Sequence, residues 1–163
     1  MKILIVDDKP ENILVLEALL PKFGHSVVAA SNGADALEKL KTNPVDLIIS
    51  DILMPVMDGF QFCRKVKSDK DFQNIPLIFL TATYSEKKDE ELGYKMGADR
   101  FLVKPIESEK LLKIIEEVAK EAKGRKGETK APVLEKEEVI YKLYSERLVN
   151  KLDQRNQELE KEI

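Results

Sequence analysis

Val45-Asp-Leu-Ile-Ile-Ser-Asp-Ile-Leu-Met-Pro-Val-Met-Asp-Gly59 is the stretch whose reading decides the fold. Leu47, Ile48 and Ile49, with Val45 just ahead of them, form a short continuous apolar run, the pattern of a strand buried on both faces. The strand delivers Asp51 to its carboxyl end, where Pro55 and Asp58-Gly59 turn the chain away. In open parallel sheets ligands bind outside the carboxyl ends of the strands, so Asp51 stands on a rigid base with access to solvent. An isolated Asp after a strand more often caps the next helix. The ends of the other strands reverse that reading.

Upstream, Lys2-Ile-Leu-Ile-Val6 is a second buried-strand run and ends on Asp7-Asp8. Pro10 suits the first turn of a helix, and Ile13, Leu16, Leu20 and Phe23 follow at helical spacing until Gly24. Ser26–Ala30 reads as a strand, with His25 before it as a surface residue. Ser31-Asn32-Gly33 opens a helix bearing Ala36, Leu37 and Leu40, which Asn43-Pro44 closes. Downstream of Gly59, Phe62, Cys63 and Val66 take core spacing on a helix. Ile75–Leu80 is a fourth strand that exits on Thr81-Ala82-Thr83. Ser85 is placed to cap a helix running to about Met96. Arg100–Val103 is a fifth strand, exiting on Lys104-Pro105, and a helix with Leu111, Ile115 and Val118 on one face ends near Ala122. Five βα units in a row predict an α/β domain: a parallel sheet, helices on both faces, right-handed crossovers.

Four strand ends then bring polar groups to one rim: Asp7-Asp8, Asp51, Thr81 and Lys104. Three carboxylates in one crevice repel each other unless a cation sits among them. Oxygen ligands without Cys or a supporting His suit a hard divalent ion, Mg²⁺ before Zn²⁺. A metal held by Asp8 and Asp51 can also bind the oxygens of an incoming phosphoryl group, with Lys104 neutralising a second oxygen and the Thr81 hydroxyl donating to a third. Asp51 is then the nucleophile.

With these motifs in order at the expected strand ends, residues 1 to about 123 resemble the response regulator receiver domain of two-component signalling systems. The resemblance rests on Val-Asp-Asp8, Asp51-Ile-Leu-Met-Pro-Val-Met-Asp-Gly59, Thr81-Ala82 and Phe101-Leu-Val-Lys-Pro105. It implies a flavodoxin-like, doubly wound sheet of order 2-1-3-4-5 with five helices, and phosphorylation of Asp51 by a histidine kinase or phosphotransfer domain. It also implies Mg²⁺ ligation by Asp8, Asp51 and the Leu53 backbone carbonyl, with Asp7 acting through water. Finally, it implies a switch in which the Thr81 hydroxyl moves toward the phosphoryl group and Phe101 swings from exposed to buried. Phe101 lacks the hydroxyl that many members carry there, so a hydrogen bond holding the inward rotamer is absent. Leu53 and Thr83 flank the site where side chains influence the approach of water, and Leu53 predicts slow self-dephosphorylation.

The chain from Lys123 onward is different. Residues 123–132, with two Gly and a Pro, read as a linker, and residues 133–163 as one helix. Its apolar stripe of Tyr141, Tyr144, Leu148, Leu152, Leu159 and Ile163 keeps no strict heptad and resembles an interrupted coiled coil. A helix of that length, at ~1.5 Å per residue, exceeds the width of a small domain, so it is expected to project outward and pair with a second copy. A fold-back onto the domain is the other reading. The helical ending at Glu158-Leu-Glu-Lys-Glu-Ile163 suggests a connection to a further output or sensor domain.

Composition narrows the function classes. A net charge of −3, from 27 Lys and Arg against 30 Asp and Glu, offers no electrostatic footprint for direct nucleic acid binding. One cysteine excludes an internal disulfide and fits a reducing, cytoplasmic setting, and no apolar run approaches a membrane span. A phosphatase with an aspartate nucleophile usually wants a second Asp where Leu53 stands. A receiver that no longer uses phosphate would have lost an acid, the hydroxyl or the lysine, and none is lost. A flavin carrier would need a phosphate-cradling loop where Asp7-Asp8-Lys9-Pro10 repels phosphate. The remaining reading is a signalling switch rather than an enzyme, with only self-phosphorylation and self-dephosphorylation chemistry.

Overall fold

The computed structural model describes residues 1–124 and 137–161. Five strands, β1 (Lys2–Val6), β2 (Ser26–Ala30), β3 (Leu47–Ser50), β4 (Leu77–Thr81) and β5 (Arg100–Val103), alternate with α1 (Pro10–Leu19), α2 (Gly33–Thr42), α3 (Gly59–Ser68), α4 (Lys87–Met96) and α5 (Ser108–Gly124). All pairings are parallel, in the order β2-β1-β3-β4-β5. This is the doubly wound arrangement expected from the sequence.

The apolar strand runs are continuous because both faces are covered. Leu4 and Val6 of β1 point into a cluster with Ala36 and Leu40 of α2, Phe62, Cys63 and Val66 of α3, and Leu92 and Met96 of α4. Ile3 and Ile5 point the other way, to Leu16 of α1 and Leu111, Ile115 and Val118 of α5. Side chains alternate along a strand, so one run of five residues feeds two cores. The register aligns the strand ends. Val6 pairs with Ser50 and Thr81 with Val103, so Asp7 leaves beside Asp51, and Lys104 leaves just past Thr81.

Several local expectations need correction. Phe23 is 58% exposed and not a core residue. Helix α1 stops at Leu19, and Leu20–Phe23 form a 3-10 turn, whose tighter winding rotates Phe23 out of the α-helical face. Helix α4 is capped at Glu86, not Ser85, with the Asp89 carboxylate accepting the Glu86 N–H at 3.1 Å. Helix α5 reaches Gly124, so Lys123 and Gly124, expected in the linker, are helical. The rest of that linker, the expected helix start at Val133 and the terminal Ile163 lie outside the described residues.

The larger correction concerns the tail. Helix α6 (Glu137–Lys161) does not project from the domain but packs along α3 and α4. Ile140 is 2% exposed within the α2–α4 core cluster. Tyr144 lies edge-on to Phe60 at 6.2 Å and donates its hydroxyl to Asp58. Arg147 Nε donates to the fully buried Asp89 at 2.8 Å, and its second arm meets Glu86. Lys151 donates to the Thr83 carbonyl and sits 4.9 Å over the Tyr84 ring. In this fold-back Arg147 and Lys151, the two cations of the packed face, find their partners on Asp89 of α4 and on the Thr83 carbonyl just before it.

Candidate functional site

Three carboxylates meet at the carboxyl rim of the sheet. One oxygen each from Asp7, Asp8 and Asp51 lies within 4.8 Å of the others. Asp7 and Asp51 are buried and Asp8 is exposed, so the cluster opens to solvent on the Asp8 side. Asp7 is held from three directions: by the Lys9 N–H at 3.0 Å, the Asn12 amide at 3.0 Å and Lys104 Nζ at 3.5 Å. Asp51 accepts the Ile52 N–H at 2.7 Å, while its own N–H is tied to the Val6 carbonyl at 2.9 Å. Burial pushes the Asp51 carboxyl up to about 6, helped by the charge of Asp7, while the Ile52 N–H and Lys104 pull the other way. Asp8 is raised as well, by burial and then by Asp7. Two acids shifted upward by burial and by the charge of Asp7 mark a site that gains from a cation.

The expected partners are present. Lys104 forms its ion pair with Asp7 and lowers Asp51 from further away. It precedes a cis peptide to Pro105. The Thr81 hydroxyl accepts the N–H groups of Thr83 at 3.2 Å and Tyr84 at 3.3 Å, so it pins the β4–α4 turn. Phe101 is 8% exposed, its ring edge-on to Phe79 at 6.0 Å. Gly93 makes room for it, since a Cβ there would sit 2.7 Å from the Phe101 ring. The ring occupies its inward position.

Asp58-Gly59 does more than turn the chain. Asp58 caps α3 by accepting the Gln61 N–H at 2.9 Å. A Cβ on Gly59 would fall 2.2 Å from the Asp51 carbonyl oxygen, so only glycine lets the helix start press against the Asp51 backbone. Between them, Val56 has φ +69° and is 84% exposed. The left-handed region is costly for a β-branched residue. Val56→Gly is therefore expected to stabilise the fold by about 1 kcal/mol in urea denaturation, with no packing lost.

A cleft of about 350 Å³ above the acids is lined by Asp8, Lys9, Asp51, Leu53, Met54, Pro55, Thr83 and Arg155. Leu53 thus stands at the mouth, as expected. Arg155 comes from α6 and was not foreseen, nor were Asn12, Tyr144, Arg147 and Lys151. The tail positions packed on the receiver, 140, 144, 147 and 151, follow helical spacing, but two of the four are cations. A pattern search for apolar residues passes over them.

The response regulator receiver domain profile matches residues 3–116. The chain belongs to this family. The receiver is 39% identical over 117 residues to Protein PilH of Pseudomonas aeruginosa, covering 72% of this chain and 96% of PilH. It is 37% identical to the alkaline phosphatase synthesis transcriptional regulatory protein PhoP of Bacillus subtilis, covering 64% of this chain but 42% of PhoP. Among solved structures, the receiver domain of a Syntrophus aciditrophicus signal transduction histidine kinase matches with TM-score 0.68 and 35% identity, covering 74% of this chain and 90% of that one. Vibrio cholerae CheY4, a chemotaxis response regulator, matches with TM-score 0.67 and 35% identity, over 72% and 97%. The receiver is accordingly a signalling module of two-component systems. No helix among its described residues is long and apolar enough to cross a membrane.

Proposed function

We propose that the protein is a phosphorylation-controlled switch in which Asp51 accepts a phosphoryl group from a histidine kinase or phosphotransfer domain. The Asp51 carboxylate forms the new P–O bond as the P–N bond to the donor imidazole breaks, and that imidazole leaves with a proton from solvent. The single observation that carries this reading is the convergence of Asp7, Asp8 and Asp51 within 4.8 Å at an open rim. The all-oxygen donor set fits Mg²⁺, with Asp8, Asp51 and the Leu53 carbonyl as ligands and Asp7 acting through water. When bound, Mg²⁺ supplies the charge that offsets repulsion among these acids and the phosphoryl oxygens. Lys104 neutralises one phosphoryl oxygen, and Thr81 donates to another.

For Thr81 that donation has a structural consequence. Its hydroxyl accepts from Thr83 and Tyr84 and already favours the charged form of Asp51, so a stronger pull toward a phosphoryl group on Asp51 loosens the β4–α4 turn. A phosphoryl group adds ~1.5–2 negative charges, enough to bias two packings separated by a few kcal/mol. The change is relayed through Phe101 and through α6, which holds the same turn at the Thr83 carbonyl. A second copy joined through α6 is a proposed partner, and a single cysteine, Cys63, buried and in no disulfide, suits a cytoplasmic setting.

Magnesium titration followed by acetyl phosphate treatment tests the site. Wild type should bind the ion saturably and gain one phosphoryl group. Asp8→Asn should lose most of both, and equal uptake by the variant would contradict the ligand assignment. Leu53 gives a second expectation. Its side chain cannot orient an attacking water, so Leu53→Asn should shorten the phosphoryl half-life by roughly three- to tenfold, the worth of about one hydrogen bond. An unchanged half-life would remove Leu53 from the account.

A further inference from the structure

Helix α6 has two working faces, and the receiver covers only one. Ile140, Arg147 and Lys151 are buried and Tyr144 is half-buried against α3 and α4. Val149, Leu152 and Leu159 are 57%, 53% and 57% exposed. At ~100° per residue the two sets lie roughly 130° apart around the helix, so packing on the receiver leaves the second set facing solvent. Tyr144, which the sequence grouped with Leu152 and Leu159 in one stripe, belongs to the inner face, and Leu148 is half-buried. The outer stripe runs instead through Val149, which the sequence stripe left out.

That stripe reads Val149, Leu152, Asn156 and Leu159. The spacings of 3, 4 and 3 are those of alternating a and d positions of a heptad repeat, with Val and Asn at a and Leu at both d positions. The inner-face residues 140, 144, 147 and 151 all fall at c and f, away from the a/d seam. β-Branched residues at a with Leu at d favour two strands, and a single Asn at an a position fixes register and dimeric state. That Asn also chooses the direction, because only a parallel, in-register pair sets the a position of one helix against the same a position of the other.

We infer that the outer face of α6 is a parallel, in-register docking surface for a second copy of this chain, used while each inner face stays packed on its own receiver. Asn156 meets Asn156 of the second copy across the seam. About one and a half heptads make a short seam, and short helices associate weakly, so the dimer is reversible. It does not depend on the chemistry of Asp51.

Sedimentation equilibrium of the full chain, over a wide concentration range in metal- and phosphate-free buffer, tests this. The mass should rise from 18.6 kDa toward twice that value. Leu152→Asp with Leu159→Asp should hold it at the monomer with an unchanged circular dichroism spectrum, as both side chains are exposed. Val149→Cys should form a disulfide-linked dimer on oxidation. A wild type that stays monomeric throughout, a dimer indifferent to the paired Asp substitutions, or a dimer that Val149→Cys fails to crosslink would each overturn the proposal.

Discussion

Asp51→Asn is expected to abolish phosphoryl uptake and, in metal-free buffer, to make the folded protein more stable than wild type at neutral pH. The first effect follows because an amide is neither the nucleophile nor an anionic ligand. The second follows from burial. The Asp51 carboxyl is raised from 3.8 to about 6 in the folded chain, so between those values the folded state holds a proton that the unfolded state has released. Stability from this group is therefore full below about pH 4 and is lost as pH rises through about 6. Its ionisation at neutral pH costs roughly 2–3 kcal/mol. The asparagine never ionises, and its side-chain oxygen can still accept the Ile52 N–H. Thermal melts in EDTA from pH 4.5 to 7.5 should show wild type falling relative to the variant. Parallel curves would mean that the acids do not strain the fold. Added Mg²⁺ should raise wild type and leave the variant nearly unmoved.

Lys67→Met should cost about 3–5 kcal/mol, the usual consequence of breaking a buried ion pair from one side. Lys67 Nζ lies 3.4 Å from Asp99, with both side chains only 1% exposed. It also donates to the Ile75 carbonyl at 2.6 Å. Asp99 in turn accepts the Leu77 N–H at 2.9 Å, so the pair ties the end of α3 to the starts of β4 and β5. Removing the cation takes the opposite charge away from a buried carboxylate. Urea denaturation reads the loss directly. Adding Asp99→Asn to Lys67→Met should recover part of it, because the amide still accepts from Leu77 without a charge. A single variant within about 1 kcal/mol of wild type would show that water reaches this pair.

The receiver was legible because its signals are local and periodic. A continuous apolar run such as Leu47–Ile49 demands two covered faces, and every such run ended on a residue with little reason to be apolar. The rim of Asp7, Asp8, Asp51, Thr81 and Lys104 therefore followed from strand ends alone. What escaped was set by tertiary contacts. Phe23 has helical spacing but lies in a 3-10 turn. Asp58 looked like a turn residue and also binds Tyr144 from 86 residues away. The tail was misplaced because half of its inner face is charged: Arg147 and Lys151 are buried only because Asp89 and the Thr83 carbonyl are there to meet them. No pattern in α6 alone reveals those partners.

The most direct test of the central claim locates the phosphoryl group. The full chain is incubated with acetyl phosphate and Mg²⁺, reduced with borohydride to trap the acyl phosphate, digested and mapped by mass spectrometry. The account predicts a gain of about 80 Da per chain before reduction, a trapped modification at Asp51 alone, and neither in the presence of EDTA. An adduct at another residue, or one that forms equally well in EDTA, would contradict it.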